Sequence, residues 1–359
     1  MPVHPSTSYA ARREQLHGLM DRQGITALLV LHPANRFYLS GFELHDSQRN
    51  ESSGALLICT HGPDWLLTDA RYQDEARACW PADQVHVYTN PRIANIGEFT
   101  RKMHTGPVWV ETQAMCADMY LQLTKVLDLR PSPNLVEELR AVKDEAEIAA
   151  LRASCALNHR VYDMLKPVVQ PGITEQELAW ELEQAFREHG AEALSFAPIV
   201  AFGPRAALPH ATPGPHVLAP ETPVLIDMGG RVQNYCSDQT RTWWAGTAPA
   251  DTFTRTLELV QTAQELAIAR VAPGASTAEL YDVAMNFFRA HDVGAYFTHS
   301  LGHGIGLETH EAPGVGPHRP SILQPGMVIT IEPGLYYPTW GGVRWEYMVL
   351  VTENGHEVL

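Results

Sequence analysis

The chain has 359 residues, 45% hydrophobic and 19% charged, an ordinary globular composition long enough for one large domain and one smaller one. Its formal net charge of −15 argues against nucleic acid and against an anionic membrane surface as partners. Five scattered cysteines without C-x-x-C spacing suggest neither a disulfide framework nor thiolate-bound zinc; with no signal-like N-terminus and no apolar run near the ~20 residues that span a bilayer, a cytoplasmic location is expected.

Ser8 to Asp21 has helical spacing of Leu16, Leu19 and Met20 and leads into Ile25-Thr26-Ala27-Leu28-Leu29-Val30-Leu31, a run of buried-strand length. Further strands are expected at residues 55–59, 65–68, 85–88 and 108–111, alternating with helical or turn-rich stretches. That alternation predicts an α/β domain on a parallel or mixed sheet. The polar and aromatic loop from Phe42 to Glu51 reads as solvated surface, with His45 and Arg49 as candidates for reaching a second subunit's site. Pro131 and Pro133 mark a boundary, giving domains at 1–134 and 135–359.

Beyond the boundary a segment repeats. Pro171-Gly172-Ile173-Thr174-Glu175-Gln176-Glu177-Leu178, running on to Phe186-Arg187-Glu188-His189, is echoed by Pro273-Gly274-Ala275-Ser276-Thr277-Ala278-Glu279-Leu280 and Phe288-Arg289-Ala290-His291. Each copy is a turn entering an amphipathic helix. A duplicated α+β unit of this kind predicts two pseudo-symmetric halves around a central site.

Chemistry concentrates in four stretches. Val224-Leu225-Ile226-Asp227-Met228 reads as a buried strand holding a carboxylate that needs a cationic partner, and Asp238 follows among strand-forming residues. Phe297 to Glu311 places His299, His303 and His310 among alternating glycines. Gly302, Gly304 and Gly306 make a helical zinc motif unfavourable, and Leu307 stands where a dinucleotide fingerprint would need its last glycine. Val328-Ile329-Thr330-Ile331-Glu332 is an apolar strand ending in a glutamate before Pro333-Gly334. Residues 341–352 read as one strand, with Arg344 and Glu346 on one face and Trp345 and Tyr347 on the other. Four carboxylates in or beside apolar strands, with a histidine in a glycine-rich turn, are satisfied most economically by two divalent ions. Oxygen-dominated ligation favours Mn²⁺, with Co²⁺, Fe²⁺ or Zn²⁺ as alternatives.

Asp227, Asp238, His303, Glu332 and Glu346, set in Ser-Asp-x-Thr-Arg, Gly-His-Gly-Ile-Gly-Leu-Glu-x-His-Glu, Thr-Ile-Glu-Pro-Gly-Leu-Tyr and Gly-Gly-Val-Arg-x-Glu, resemble the metal set of the pita-bread metallopeptidases. The resemblance covers the chain from about Leu135 onward, and the preceding α/β domain resembles the creatinase-type N-terminal domain of the proline-directed branch, prolidase and Xaa-Pro aminopeptidase. It implies that Asp227 binds one ion, that His303 and Glu332 bind the other, and that Asp238 and Glu346 bridge them. It further implies that Glu332 is the acid/base group, that His210 and His310 hydrogen-bond the substrate, that His299 and Tyr336 line the proline pocket, and that Arg344 supports the site. A substrate with proline after the scissile bond and a homodimeric assembly go with that branch. Arg319 and His318 lie near where prolidases place a carboxylate-binding arginine, which favours a dipeptidase over an aminopeptidase. Two alternatives keep the fold and lose the chemistry, a metal-free creatinase-like hydrolase and a non-enzymatic binding module; the intact ligand positions speak against both. One departure stands out: Tyr347 replaces the aspartate common after the last ligand.

Overall fold

The apolar runs of the N-terminal part form a six-stranded mixed sheet, in a computed structural model that describes residues 6–46 and 51–359. Its strands are β1 (Ala27–Val30), β2 (Gly54–Cys59), β3 (Trp65–Thr68), β4 (Val85–Val87), β5 (Val108–Val110) and β6 (Leu129–Pro131), in the order β4-β3-β2-β1-β5-β6. β1 and β2 are buried throughout, which is why they read as continuous apolar runs rather than alternating ones. Leu29, Leu57, Val108 and Leu123 lie in the core of this unit. The segment read as a proline-marked boundary begins as an edge strand: Pro131 pairs with Val110 at the rim, where a missing N–H breaks no ladder. Arg49 lies outside the described residues, and His45 is exposed.

The chain divides into compact units at Met1–Arg140 and Ala141–Leu359. In the second unit, helices Glu175–Glu188 and Thr277–Ala290 each begin in a capping box, Thr174 with Glu177 and Ser276 with Glu279. The turns ahead of them make matching contacts: Gly172 N donates to Leu218 O and Gly274 N to Leu323 O, each at 2.9 Å. Thr174 bridges to Val217 just as Ser276 does to Ile322. The duplicated α+β unit expected from the sequence is therefore present in the hydrogen bonding.

The first half contributes β7 (Ala193–Leu194), β8 (Ile199–Phe202), β9 (Thr222–Met228), β10 (Gly230–Val232), β11 (Tyr235–Cys236) and β12 (Gln239–Ala245), in two sheets of order β11-β10-β7 and β12-β9-β8. The second contributes β13 (Gly302–Gly304), β14 (Glu311–Val315), β15 (Val328–Ile331), β16 (Gly334–Tyr337), β17 (Gly341–Arg344), β18 (Tyr347–Thr352) and β19 (Gly355–Val358). These form the sheet β14-β13-β15-β18-β19 and the hairpin β16-β17. The single strand expected over 341–352 is thus two strands in different sheets, broken at Trp345 and Glu346. The break is invisible in the residue pattern because both halves are apolar. Leu182, Phe186 and Ile226 lie in one core cluster, and Val260, Phe288 and Ile329 in another.

Candidate metal centre

Each half delivers two carboxylates at or next to the end of a strand ladder. Asp227 lies in β9 opposite Thr240 of the antiparallel β12, and Asp238 immediately precedes β12. Ile331 pairs with Tyr347, and Glu332 and Glu346 sit one residue beyond that last rung. His303, the middle residue of β13, comes from a strand held between β14 and β15. Its flanking glycines are there for space: a Cβ on Gly302 would fall 2.0 Å from Thr330 O, and one on Gly304 would fall 2.3 Å from Ala312 O. Gly302→Ala is accordingly expected to lower stability by about 1–3 kcal/mol, the usual cost of forcing an extra carbon into closed packing. Thermal melting checks this, and an unchanged midpoint would mean that the strand yields enough to take the methyl group.

Asp238, His303 and Glu346 each offer a ligand atom, all within 4.8 Å of one another. His303 Nδ1 lies 3.0 Å from Gly304 O, so that nitrogen carries the donated proton and Nε2 faces the acids, 3.3 Å from Glu332 Oε1 and 3.7 Å from Asp238 Oδ2. Thr330 Oγ1 joins this pair, accepting from His303 N at 3.1 Å and donating to Glu332 Oε1 at 3.2 Å. Behind the acids, Arg344 donates from Nη2 to Asp227 Oδ2 at 2.7 Å, from Nε to Thr240 Oγ1 at 2.9 Å, and from Nη1 to Tyr336 OH at 3.0 Å and Pro209 O at 3.1 Å. Thr240 passes this on, donating to Glu346 Oε2 at 2.8 Å. Tyr336 OH lies 2.8 Å from His299 Nε2, and His299 Nδ1 lies 2.7 Å from Ser300 O. The carbonyl takes the Nδ1 proton, so Tyr336 donates to His299.

These contacts leave a specific deficit. Asp227 Oδ1, Asp238 Oδ1 and Glu346 Oε1 are buried and accept no hydrogen bond. A buried carboxylate oxygen without a donor costs several kcal/mol, and divalent cations are the partners that oxygen-rich clusters of this kind take. The donor set fits such ions.

Electrostatics agree. Burial, and then the charges of Glu346, Asp227 and Glu332, push the Asp238 carboxyl well above its ordinary range, and burial with the charges of Glu332 and Asp227 does the same to Glu346. Glu332 goes the other way: burial would raise it, but the His303 hydrogen bond and charge outweigh that and hold it at about 2. The same contact raises His303 against the effect of burial.

The cluster opens on a cavity of about 710 Å³ lined by Asp227, Asp238, His303, Glu332, Arg344, His210, His299 and His310, with Phe196, Ile199, Pro209 and Gly314 among the walls. Glu346 and Tyr336 lie behind this surface. The His310 ring packs edge-on against that of His303, 4.2 Å between centroids; burial, then the charge of His303, lower its pKa. Arg319 and His318 are exposed in the turn after β14 and are not among the residues lining the cavity. Sequence reasoning passed over Thr330 and Thr240. The available signal was strand alternation, which puts Thr330 on the face of Glu332.

Residues 149–353 match the model of metallopeptidase family M24, and residues 12–142 match that of the creatinase/prolidase N-terminal domain. An uncharacterized peptidase of Bacillus subtilis, YqhT, is 32% identical over 349 residues, 96% of each chain. Among solved structures, an Xaa-Pro dipeptidase from Bacillus anthracis superposes with a TM-score of 0.90 at 30% identity, covering 98% of this chain and 97% of that one. A prolidase from Pyrococcus horikoshii OT3 gives 0.88 at 30%, with 97% of each chain covered. An X-Pro aminopeptidase from Thermotoga maritima gives 0.86 at 30%, with 96% of each covered. With more than half of its length in the catalytic-domain match, and the N-terminal match ahead of it, the chain belongs to metallopeptidase family M24.

Proposed function

We propose that the protein hydrolyses the peptide bond before proline, in Xaa-Pro dipeptides, using two divalent ions of which Mn²⁺ is the first choice and Co²⁺, Fe²⁺ or Zn²⁺ the alternatives. The observation that carries the dinuclear reading is the three buried carboxylate oxygens without donors, Asp227 Oδ1, Asp238 Oδ1 and Glu346 Oε1, at a cluster where Asp238, His303 and Glu346 offer ligand atoms within 4.8 Å of one another. Similarity to the Bacillus anthracis dipeptidase and the Pyrococcus prolidase supports the proline and dipeptide assignments. Asp227, Asp238, His303, Glu332 and Glu346 would hold the ions. When bound, such ions activate water near neutral pH and stabilise negative charge on a reacting carbonyl. Glu332, at the cavity wall, takes up and returns the proton of the attacking water. His210 and His310 donate to the substrate carbonyl, and His299, fixed by Tyr336, lines the proline side. We read the assembly as a homodimer, for which sedimentation of an active monomer would be the contrary result.

One observation favours a second reading, cleavage in longer peptides. Among the described residues Arg344 is the one arginine or lysine lining the cavity, and Asp227, Thr240, Tyr336 and Pro209 already take four of its five N–H groups. A dipeptide's free carboxylate finds no uncommitted guanidinium there. The T. maritima aminopeptidase is as similar in sequence as the dipeptidase.

The experiment is hydrolysis of a matched Xaa-Pro dipeptide and Xaa-Pro-Xaa tripeptide by chelator-stripped protein, with and without Mn²⁺. Cleavage of the dipeptide alone supports the first reading and tripeptide preference the second; failure on both with metal bound removes the proline specificity. Gly314 gives a companion test, because a Cβ there meets no atom within 4 Å. If the cavity lacks a carboxylate partner, Gly314→Arg should raise dipeptide kcat/KM relative to tripeptide by about tenfold, the scale of one charged hydrogen bond. An unchanged ratio would mean that another group already binds the carboxylate.

A further inference from the structure

Glu346 leaves the backbone at the break between β17 and β18, where neither sheet fixes it. The ladder is replaced by side chains. Gln264 Nε2 donates to Trp345 O at 2.9 Å, and Arg241 Nη1 donates to Glu346 O and, at 2.8 Å, to Thr240 O. Glu346 N returns to Thr240 O at 3.2 Å. Two adjacent residues of β12 thus hold Glu346 at both ends, Thr240 by the carboxylate and Arg241 by the carbonyl.

Arg241 is itself unusual. It is 5% exposed, and among the described residues no carboxylate lies within ion-pair distance of its guanidinium. Instead the guanidinium carbon sits 4.2 Å from the ring centroid of Tyr347 and 4.7 Å from that of Trp345, the two residues flanking the glutamate it anchors. Aromatic faces stabilise a desolvated guanidinium while leaving its N–H groups free to bond in the ring-free directions. At Tyr347 this chain holds its arginine by a π-face.

We propose that Arg241, clamped between Trp345 and Tyr347, is a positioning residue that fixes the backbone at Glu346 and so sets the direction of that carboxylate toward the metal ions. The inference rests on the metal-centre reading, and one titration separates the two. Mn²⁺ binding to chelator-stripped protein is measured by calorimetry for the parent and for Arg241→Met, Tyr347→Leu and Tyr347→Phe, with thermal melting alongside. Arg241→Met should weaken Mn²⁺ binding by roughly 10–100-fold, the range for residues that orient metal ligands. Tyr347→Leu should weaken it by a smaller factor, and Tyr347→Phe, which keeps the π-face, should restore parental affinity. With metal saturating, kcat should fall and KM stay near the parental value, because none of the three side chains lines the substrate cavity. A role confined to packing would lower the melting temperature and leave affinity alone. Parental affinity in both Arg241→Met and Tyr347→Leu, or equal losses in Tyr347→Leu and Tyr347→Phe, would overturn the proposal. Should Arg241→Met fail to fold, the Leu and Phe pair still decides it. A parent that binds no Mn²⁺ would overturn the metal-centre reading and this inference with it.

Discussion

Asp238→Asn is expected to abolish turnover while making the metal-free protein more stable. Asp238 is 5% exposed, its Oδ1 has no donor, and three further carboxylates act on it. In the proposed centre it would be one of the residues that hold the ions, so an amide at that position should reduce bound Mn²⁺ below two per chain. Activity should drop at least about 10²–10³-fold, the scale of losing one electrostatic stabiliser of the transition state. Without metal the same carboxylate is a burden, and removing its charge should raise stability by about 0.5–2 kcal/mol, as in other trade-offs between stability and activity.

The sign of the pH dependence follows from the direction of the shifts. Asp238 and Glu346 have pKa values raised above those of the unfolded chain, so the folded state binds more protons and stability falls as pH rises through the raised values. His303 is also raised; its contribution is present below the ordinary histidine pKa and lost as pH rises through the folded value. Glu332, held at about 2, contributes stability above the ordinary carboxylate pKa that is lost only on strong acidification, outside the range of interest. In chelator the parent should therefore be more stable at pH 5 than these groups allow at pH 8, and the gain from Asp238→Asn should be larger at pH 8. Urea denaturation at both values measures this. A variant less stable than the parent at pH 8 in chelator would show that the acids are not in mutual conflict.

Much of this site could be read from residue order because buried charge is conspicuous in an apolar strand. Asp227 after Val224-Leu225-Ile226 and Glu332 after Val328-Ile329-Thr330-Ile331 interrupt runs that have no other reason to stop at an acid, and both reach the cavity. The turn-helix echo likewise survives as paired contacts, Gly172 with Leu218 and Gly274 with Leu323. What stayed hidden was geometry without a compositional mark. Thr240 and Thr330 look like ordinary strand formers, and only tertiary pairing gives each hydroxyl two partners within the cluster. The break at Trp345 and Glu346 preserves an apolar pattern on both sides. Arg319 and His318 are near Glu332 in sequence, but the turn that carries them, with Arg319 at φ 55°, leaves them exposed away from the cavity lining.

Arg344→Met is expected to be the most damaging change outside the ligands. The side chain is 3% exposed and its guanidinium gathers groups from both halves: Asp227 in the first, Tyr336 in the second, and Glu346 through the Thr240 hydroxyl. A methionine would keep the volume and leave the Asp227 Oδ2 oxygen as unpartnered as Oδ1 already is. Breaking a buried pair by deleting one member costs roughly 3–5 kcal/mol, and that loss should appear in full in chelator. Added Mn²⁺ would recover part of the stability by taking up the Asp227 charge, but not the activity, because Tyr336 would no longer be held against His299. Arg344→Lys is expected to rescue little. An ammonium is a point charge on a flexible stem and cannot span the four acceptors that the planar fork reaches. Urea denaturation with chelator and with Mn²⁺, set beside turnover of the Xaa-Pro substrate, separates these effects. If Arg344→Lys kept turnover within a few-fold of the parent, charge alone would suffice at this position and the argument from fork geometry would fail.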